Sequence, residues 1–281
     1  MLLLSVLLTA YLDNLSGPSS SVTSSPAATV SAAVTAKPTE TKPVSTPDSA
    51  VSGTDLSDIN TVTPGTLTVA ISPDYPPFAY TDNDDNMTGI NPELLAAICD
   101  RIGLKLQFDV MDFDSSLLAV HNGTCDAVAS GIIYGVGREE TMDCSDIYYS
   151  VSTFLVTLED SGITKDNLDG RMIGVVSGTS GQFYAEESFE PDKIVVYDSY
   201  YLMMIALSSH QIDCAVMDDK TAEFYAVRND LAIESADYPT EEYVFGFVKG
   251  SDALVSAVNE ALRSLEEDGT LQSILNRYLP Y

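Results

Sequence analysis

The chain has 281 residues, 42 Asp and Glu against 13 Lys and Arg, and a formal charge of −29. So few cations cannot build a surface that neutralises phosphates, which excludes nucleic acid and anionic lipid as partners. An apolar share of 45 % with 20 % charged residues is that of a globular chain, long enough for one large or two ordinary domains. Cys99, Cys125, Cys144 and Cys214 lie far apart with no CxxC pair, which argues for small core thiols rather than a zinc or dithiol centre. Two histidines, His121 and His210, leave little material for a hydrolytic triad or a metal site, and no cofactor is expected.

Residues 1–12 are almost wholly apolar but too few for a bilayer span, which needs roughly 20. They read as a partial export signal. Leu7-Leu8-Thr9-Ala10 resembles the approach to a lipoprotein cleavage site, with Tyr11 where such a site requires Cys. Residues 13–65 are rich in Ser, Thr, Ala, Val and Pro and carry no aromatic side chain, so they cannot bury a core and are expected to be a disordered tether. The remainder still carries a formal −26.

From Leu67 the pattern alternates β-type and helical runs, which predicts an α/β fold. Leu67–Ile71 reads as a strand, Asn91–Ile102 as a helix capped by Asn91 and ended by Gly103, and Lys105–Val110 as a strand. Asp114 is expected to cap a helix running to His121, with a strand entered at Cys125–Ser130. The order recurs: a strand at Met172–Val176, a helix at Gln182–Ser188, a strand at Ile194–Tyr197, a helix at Tyr200–Ser209 and a strand at Ile212–Met217. Val120–Val128 and Ser208–Val216 share a helix end, a polar turn, an Asp and a buried strand, which predicts two lobes of similar build. Asp126 and Asp213 are expected to cap these turns, and the neighbouring histidines to act as helix C-terminal cations.

Val69-Ala70-Ile71-Ser72-Pro73-Asp74-Tyr75-Pro76-Pro77-Phe78, Gly89–Leu94, Arg138 with Met142–Tyr149, Leu168–Val175, Asp213–Asp218 and Leu262–Tyr278 together resemble the bacterial extracellular solute-binding proteins for polar amino acids, family 3. Each motif alone is weak; their order and spacing over about residues 66–280 make the signal specific. The resemblance implies a two-lobed, periplasmic-binding-protein-like (type II) α/β fold with two hinge crossings, near Ser150–Val156 and Glu241–Val248. Lobe 1 is expected over 66–152, lobe 2 over 153–242, and a return to lobe 1 over 243–281.

A free amino acid is a zwitterion, so a desolvated site must supply a cation, an anion and a surface for the side chain. By its residue type Arg138 suits a two-pronged grip on a carboxylate or a surface ion pair with Glu139 or Glu140, and the resemblance implies the grip. Thr179 and Ser180, at a predicted helix start, offer free N–H groups to the same carboxylate. The resemblance further implies Asp218 as the acceptor of the ammonium, Tyr75 and Phe113 as aromatic flanks, and backbone contacts from Ser130, Gly131 and Ile133. Ile133 stands where the family usually has Thr or Ser, which removes one hydroxyl contact.

The function implied is an extracytoplasmic amino-acid-binding protein that delivers its ligand to the permease of an ABC importer by cleft closure. It is expected to be a monomer and not an enzyme. The alternatives are an extracellular amino-acid sensor and a cyclohexadienyl-dehydratase-like enzyme. A neutral polar ligand is favoured, a cationic one comes close behind, and glutamate and aspartate rank last.

Overall fold

The computed structural model describes residues 58–82, 84–227 and 230–279. The expected export signal and most of the expected tether lie outside the described residues. The last stretch of the tether span is described and is packed: Ile59 lies against the core, and Val62 N–H donates to Asp126 Oδ1.

Two sheets organise the molecule. The first runs in the order β5 (Lys105–Val110), β1 (Thr66–Ile71), β6 (Ala127–Ile133), β14 (Glu241–Val248) and β7 (Met142–Cys144), with β8 (Tyr149–Val151) also paired to β14. The second runs β11 (Ile194–Tyr197), β10 (Ile173–Val176), β12 (Cys214–Asp218), β9 (Thr153–Leu158) and β13 (Leu231–Ser235). A small three-stranded sheet, β2 (Asp74–Tyr75), β3 (Ala79–Thr81) and β4 (Met87–Thr88), rides on the first lobe.

In each large sheet three strands are parallel and the fourth is antiparallel, and that fourth strand arrives from the other lobe. The chain leaves the first sheet after Val151 and enters the second at Thr153. Asp219 fixes this crossing, because its N–H donates to Ser152 O at 2.7 Å while its Oδ1 accepts from Ser152 N–H. The return runs between Ser235 and Glu241, so β14, expected to be a crossing, belongs wholly to the first sheet.

Helices α1 (Ile90–Ile102) and α2 (Phe113–His121) cover the first sheet, joined by α6 (Asp252–Glu267) and α7 (Thr270–Tyr278). Leu254, Ala257, Val258, Ala261, Leu262 and Leu265 recur at helical spacing on α6 and are all buried. Burying each large one is worth about 1.5–3 kcal/mol. Ion pairs Arg101–Asp268 and Arg277–Glu93 tie the C-terminal helices to α1, so the chain ends on the lobe where it began. The second sheet carries α3 (Ser180–Ser188), α4 (Tyr200–Ser208) and α5 (Asp219–Ala226) around Ile173, Val175, Met203 and Val216.

Gly103 ends α1 in the left-handed conformation, as its sequence position predicts. The caps differ from expectation. Asn91 lies inside α1 and donates from Nδ2 to Ala129 O, pinning helix to sheet, while the cap position falls to Gly89. Asp112, not Asp114, caps α2 by accepting from Ser115 N–H. Asp126 and Asp213 do not cap their turns: Asp126 Oδ2 accepts from Thr68 N–H and Asp213 Oδ2 from Met172 N–H, both at 2.8 Å. The four cysteines are free thiols, three buried and Cys144 half-buried.

Candidate functional site

The loop after β1, the start of α2, the end of β6 and the N-termini of α3, α4 and α5 converge between the lobes. This follows from topology, since in open α/β sheets the loops at the carboxyl ends of the parallel strands gather on one side. They enclose a cavity of about 20 Å³, lined by seven of the nine residues expected for the site: Tyr75, Phe113, Ser130, Gly131, Ile133, Thr179 and Ser180. Arg138 and Asp218 stand behind this lining. Among the other walls, sequence reasoning missed Tyr200, Tyr243 and Asp198. Tyr243 is hidden inside an apolar strand pattern, and Tyr200 is indistinguishable in sequence from an ordinary first-turn helix residue.

Ser130 hydroxyl accepts from Ser72 N–H at 2.9 Å, which fixes the loop carrying Asp74 and Tyr75 against β6. Gly131 has φ +67°, and a Cβ there would stand 2.6 Å from the Tyr75 ring, so only glycine admits both the backbone turn and the tyrosine above it. Ile133 is buried opposite Tyr243 in the β6–β14 ladder.

Arg138 opens a short 3-10 turn and is only 4 % exposed. The alternative of a surface ion pair with Glu139 or Glu140 is not realised, and no salt bridge to Arg138 is formed among the described residues. Its Nη2 donates to Gly178 O at 2.8 Å, its guanidinium lies 5.4 Å over the Phe113 ring, and its buried Nη1 has no hydrogen-bond partner. Desolvation lowers its pKa to about 10, which leaves the side chain a cation at neutral pH.

Asp218 ends β12 and caps α5, where its Oδ1 accepts from Thr221 N–H at 2.9 Å. Its Oδ2 accepts from the Tyr75 hydroxyl at 2.9 Å. At 1 % exposure its carboxyl is pushed up to about 6 by desolvation, against these two hydrogen bonds. Glu241, at the head of β14, is pushed up to about 7 by the same cause, while the Ser180 hydroxyl holds the charged form. Thr179 precedes α3 with its hydroxyl turned back to Val176 O, so the N-terminal N–H groups of that helix receive no side-chain cap from it.

Tyr75, expected as an aromatic flank, lines the cavity and carries two stacked neighbours. Phe78 stacks on one face, 5.1 Å between centroids, and Tyr200 of the second lobe at 5.3 Å. Phe113 also lines the cavity, with its ring beneath Arg138.

Two α/β lobes with like sheet order, joined by two crossings and holding a buried cation and a buried anion at their interface, define a two-lobed solute-binding protein of the type II periplasmic class. The chain matches the bacterial extracellular solute-binding proteins, family 3, over residues 67–281, and it belongs to that family. It is 28 % identical to the arginine-binding extracellular protein ArtP of Bacillus subtilis (strain 168), over 75 % of this chain and 85 % of that one. It is 27 % identical to a probable histidine-binding protein of Neisseria gonorrhoeae, over 75 % of this chain and 81 % of that protein. Among solved structures, an ancestral arginine-binding protein bound to glutamine superimposes with a TM-score of 0.73 at 27 % identity, covering 78 % of this chain and all of the other. These relatives are binding proteins by name. No described helix is long and apolar enough to cross a membrane.

Proposed function

We propose that the cleft binds a free amino acid as its zwitterion, outside the cytoplasm, and that the protein presents it to the membrane permease of an ABC importer. One observation carries this reading: Arg138 and Asp218 are a cation and an anion, each at least nine-tenths buried, and neither forms a salt bridge among the described residues, only the fields of Asp114 and Glu241 reaching Arg138. Buried charges without a direct ion pair are costly, and a ligand carrying both opposite charges satisfies them together. Arg138, with the Ser180 N–H and Thr179 at the start of α3, takes the carboxylate; Asp218 takes the ammonium.

The names of the relatives, for arginine and for histidine, support an amino acid as the ligand. We read the protein as a binder, as its relatives are by name, and His121 and His210 are exposed at helix ends, away from the cleft. The cavity lining includes Asp74 and Asp198 and no Lys or Arg, which supports a neutral polar or cationic side chain over an acidic one.

Titration calorimetry across the amino acids tests this. Binding of glutamine, cystine, lysine, arginine or histidine is expected. A preference of at least about tenfold, or about 1.4 kcal/mol, for glutamate or aspartate over that set overturns the reading of the side-chain pocket. Saturation at 100 times the dissociation constant adds about 2.7 kcal/mol to stability, so a thermal shift gives a second readout.

A further inference from the structure

The groups that bridge the lobes stand on the same charges that the ligand needs. Asp218 of the second lobe receives the hydroxyl of Tyr75 from the first, and that hydroxyl is shared with Tyr243. Arg138 of the first lobe gives Nη2 to the Gly178 carbonyl of the second. A donor therefore sits on the carboxylate where an ammonium would donate, and an acceptor sits on the guanidinium where a carboxylate would accept.

Around this pair the contacts continue. Tyr75 and Tyr200 stack with their planes 20° apart, Tyr200 N–H donates to Asp74 Oδ2 at 3.1 Å, and the Ser177 hydroxyl donates to Asp114 Oδ2 at 3.1 Å. Gly178, at φ +71°, brings its backbone so close that a Cβ would lie 2.9 Å from the Phe113 ring. The remaining cavity, about 20 Å³, holds about one water molecule, so no amino acid enters until the lobes part.

We propose that Tyr75 and the Gly178 carbonyl are internal stand-ins for the zwitterion: they latch the lobes together, and the Tyr75 hydroxyl sets ligand affinity by competing for Asp218. The competition rests on the reading of Asp218 as the ammonium acceptor; the latch does not. Binding is then an exchange, in which the ammonium displaces a neutral hydroxyl, and the observed affinity is reduced by the share of molecules held in the latched form.

Two measurements on the full chain decide this, for the wild type, Tyr75→Phe and Ser177→Ala. Tyr75→Phe keeps the ring stack and deletes the charge-assisted hydrogen bond to Asp218 together with the one shared with Tyr243. Small-angle X-ray scattering without ligand is expected to give a larger radius of gyration for Tyr75→Phe than for the wild type, with Ser177→Ala shifted in the same direction. Calorimetry with L-glutamine, L-arginine and L-histidine is expected to show tighter binding to Tyr75→Phe of whichever binds the wild type, by roughly tenfold.

Equal radii for all three proteins overturn the latch, as does contraction of the wild type on ligand addition by as much as Tyr75→Phe contracts. A larger radius without tighter binding overturns the competition. A larger radius in Tyr75→Phe when no amino acid binds either protein upholds the latch and removes the zwitterion reading. Ser177→Ala, outside the charge pair, keeps the latch testable if Tyr75→Phe fails to fold.

Discussion

The two lobes are built on one plan and contribute opposite chemistry. Strand order β5-β1-β6-β14 in the first matches β11-β10-β12-β9 in the second. In both, an aspartate at the entry to the third parallel strand clasps the central strand: Asp126 exchanges backbone and side-chain hydrogen bonds with Thr68, and Asp213 does the same with Met172. At the cleft the likeness ends. The first lobe supplies the cation, Arg138, and the aromatic wall of Tyr75, Phe113 and Tyr243; the second supplies helix N-termini and the anion, Asp218. A repeated scaffold thus fixes where loops converge, and the loop residues alone decide what they hold.

The largest effect on ligand binding is expected from removing either charge. Arg138→Ala takes the cation from the first lobe and Asp218→Asn the anion from the second, and each is expected to weaken amino-acid binding by at least about 2 kcal/mol, because one ligand charge is left unpaired. Unchanged affinity by calorimetry in either variant, with native circular dichroism, breaks the division of labour between the lobes.

The shared clasp can be sharpened by its two copies. Asp126 is 4 % exposed and accepts two backbone N–H groups, from Val62 and Thr68. The Asp213 side chain is 36 % exposed and makes a long ion pair with Arg171. Asp126→Ala is expected to cost about 3 kcal/mol in urea unfolding and Asp213→Ala about 1 kcal/mol, since water replaces the lost acceptor only at the second site. Equal losses would show that burial does not separate the clasps.

A further effect is a pH dependence shared across the cleft. The Asp218 and Glu241 carboxyls are pushed up to about 6 and about 7, above their usual 3.8 and 4.5, so between about pH 4 and 7 these two groups hold more protons in the folded protein than in the unfolded chain. Their contribution to stability therefore grows as pH falls through that window and is lost as it rises. Ligand affinity is expected to move the other way, because the ammonium needs an ionised Asp218. Between pH 8 and pH 5 the melting temperature of the wild type is expected to rise more, or fall less, than that of the double variant Asp218→Asn, Glu241→Gln; identical pH dependence would refute this assignment.

The sequence by itself determined the alternation of strands and helices, the duplication of the lobe and most of the cleft. β5 and β11 coincide with their expected ranges, and Gly103 ends its helix, because side-chain periodicity and glycine's access to the left-handed region act over a few residues. Seven expected site residues line one cavity because loops at strand ends meet wherever such sheets form. Tertiary structure alone decided the partners. Tyr75 finds Asp218 across 143 positions, Asp126 turns to a neighbouring strand instead of its own turn, and Glu241 becomes a desolvated carboxyl. Such contacts depend on which strands and which lobes pack together, and no local pattern of apolar and polar residues encodes which side chain will meet which at long range.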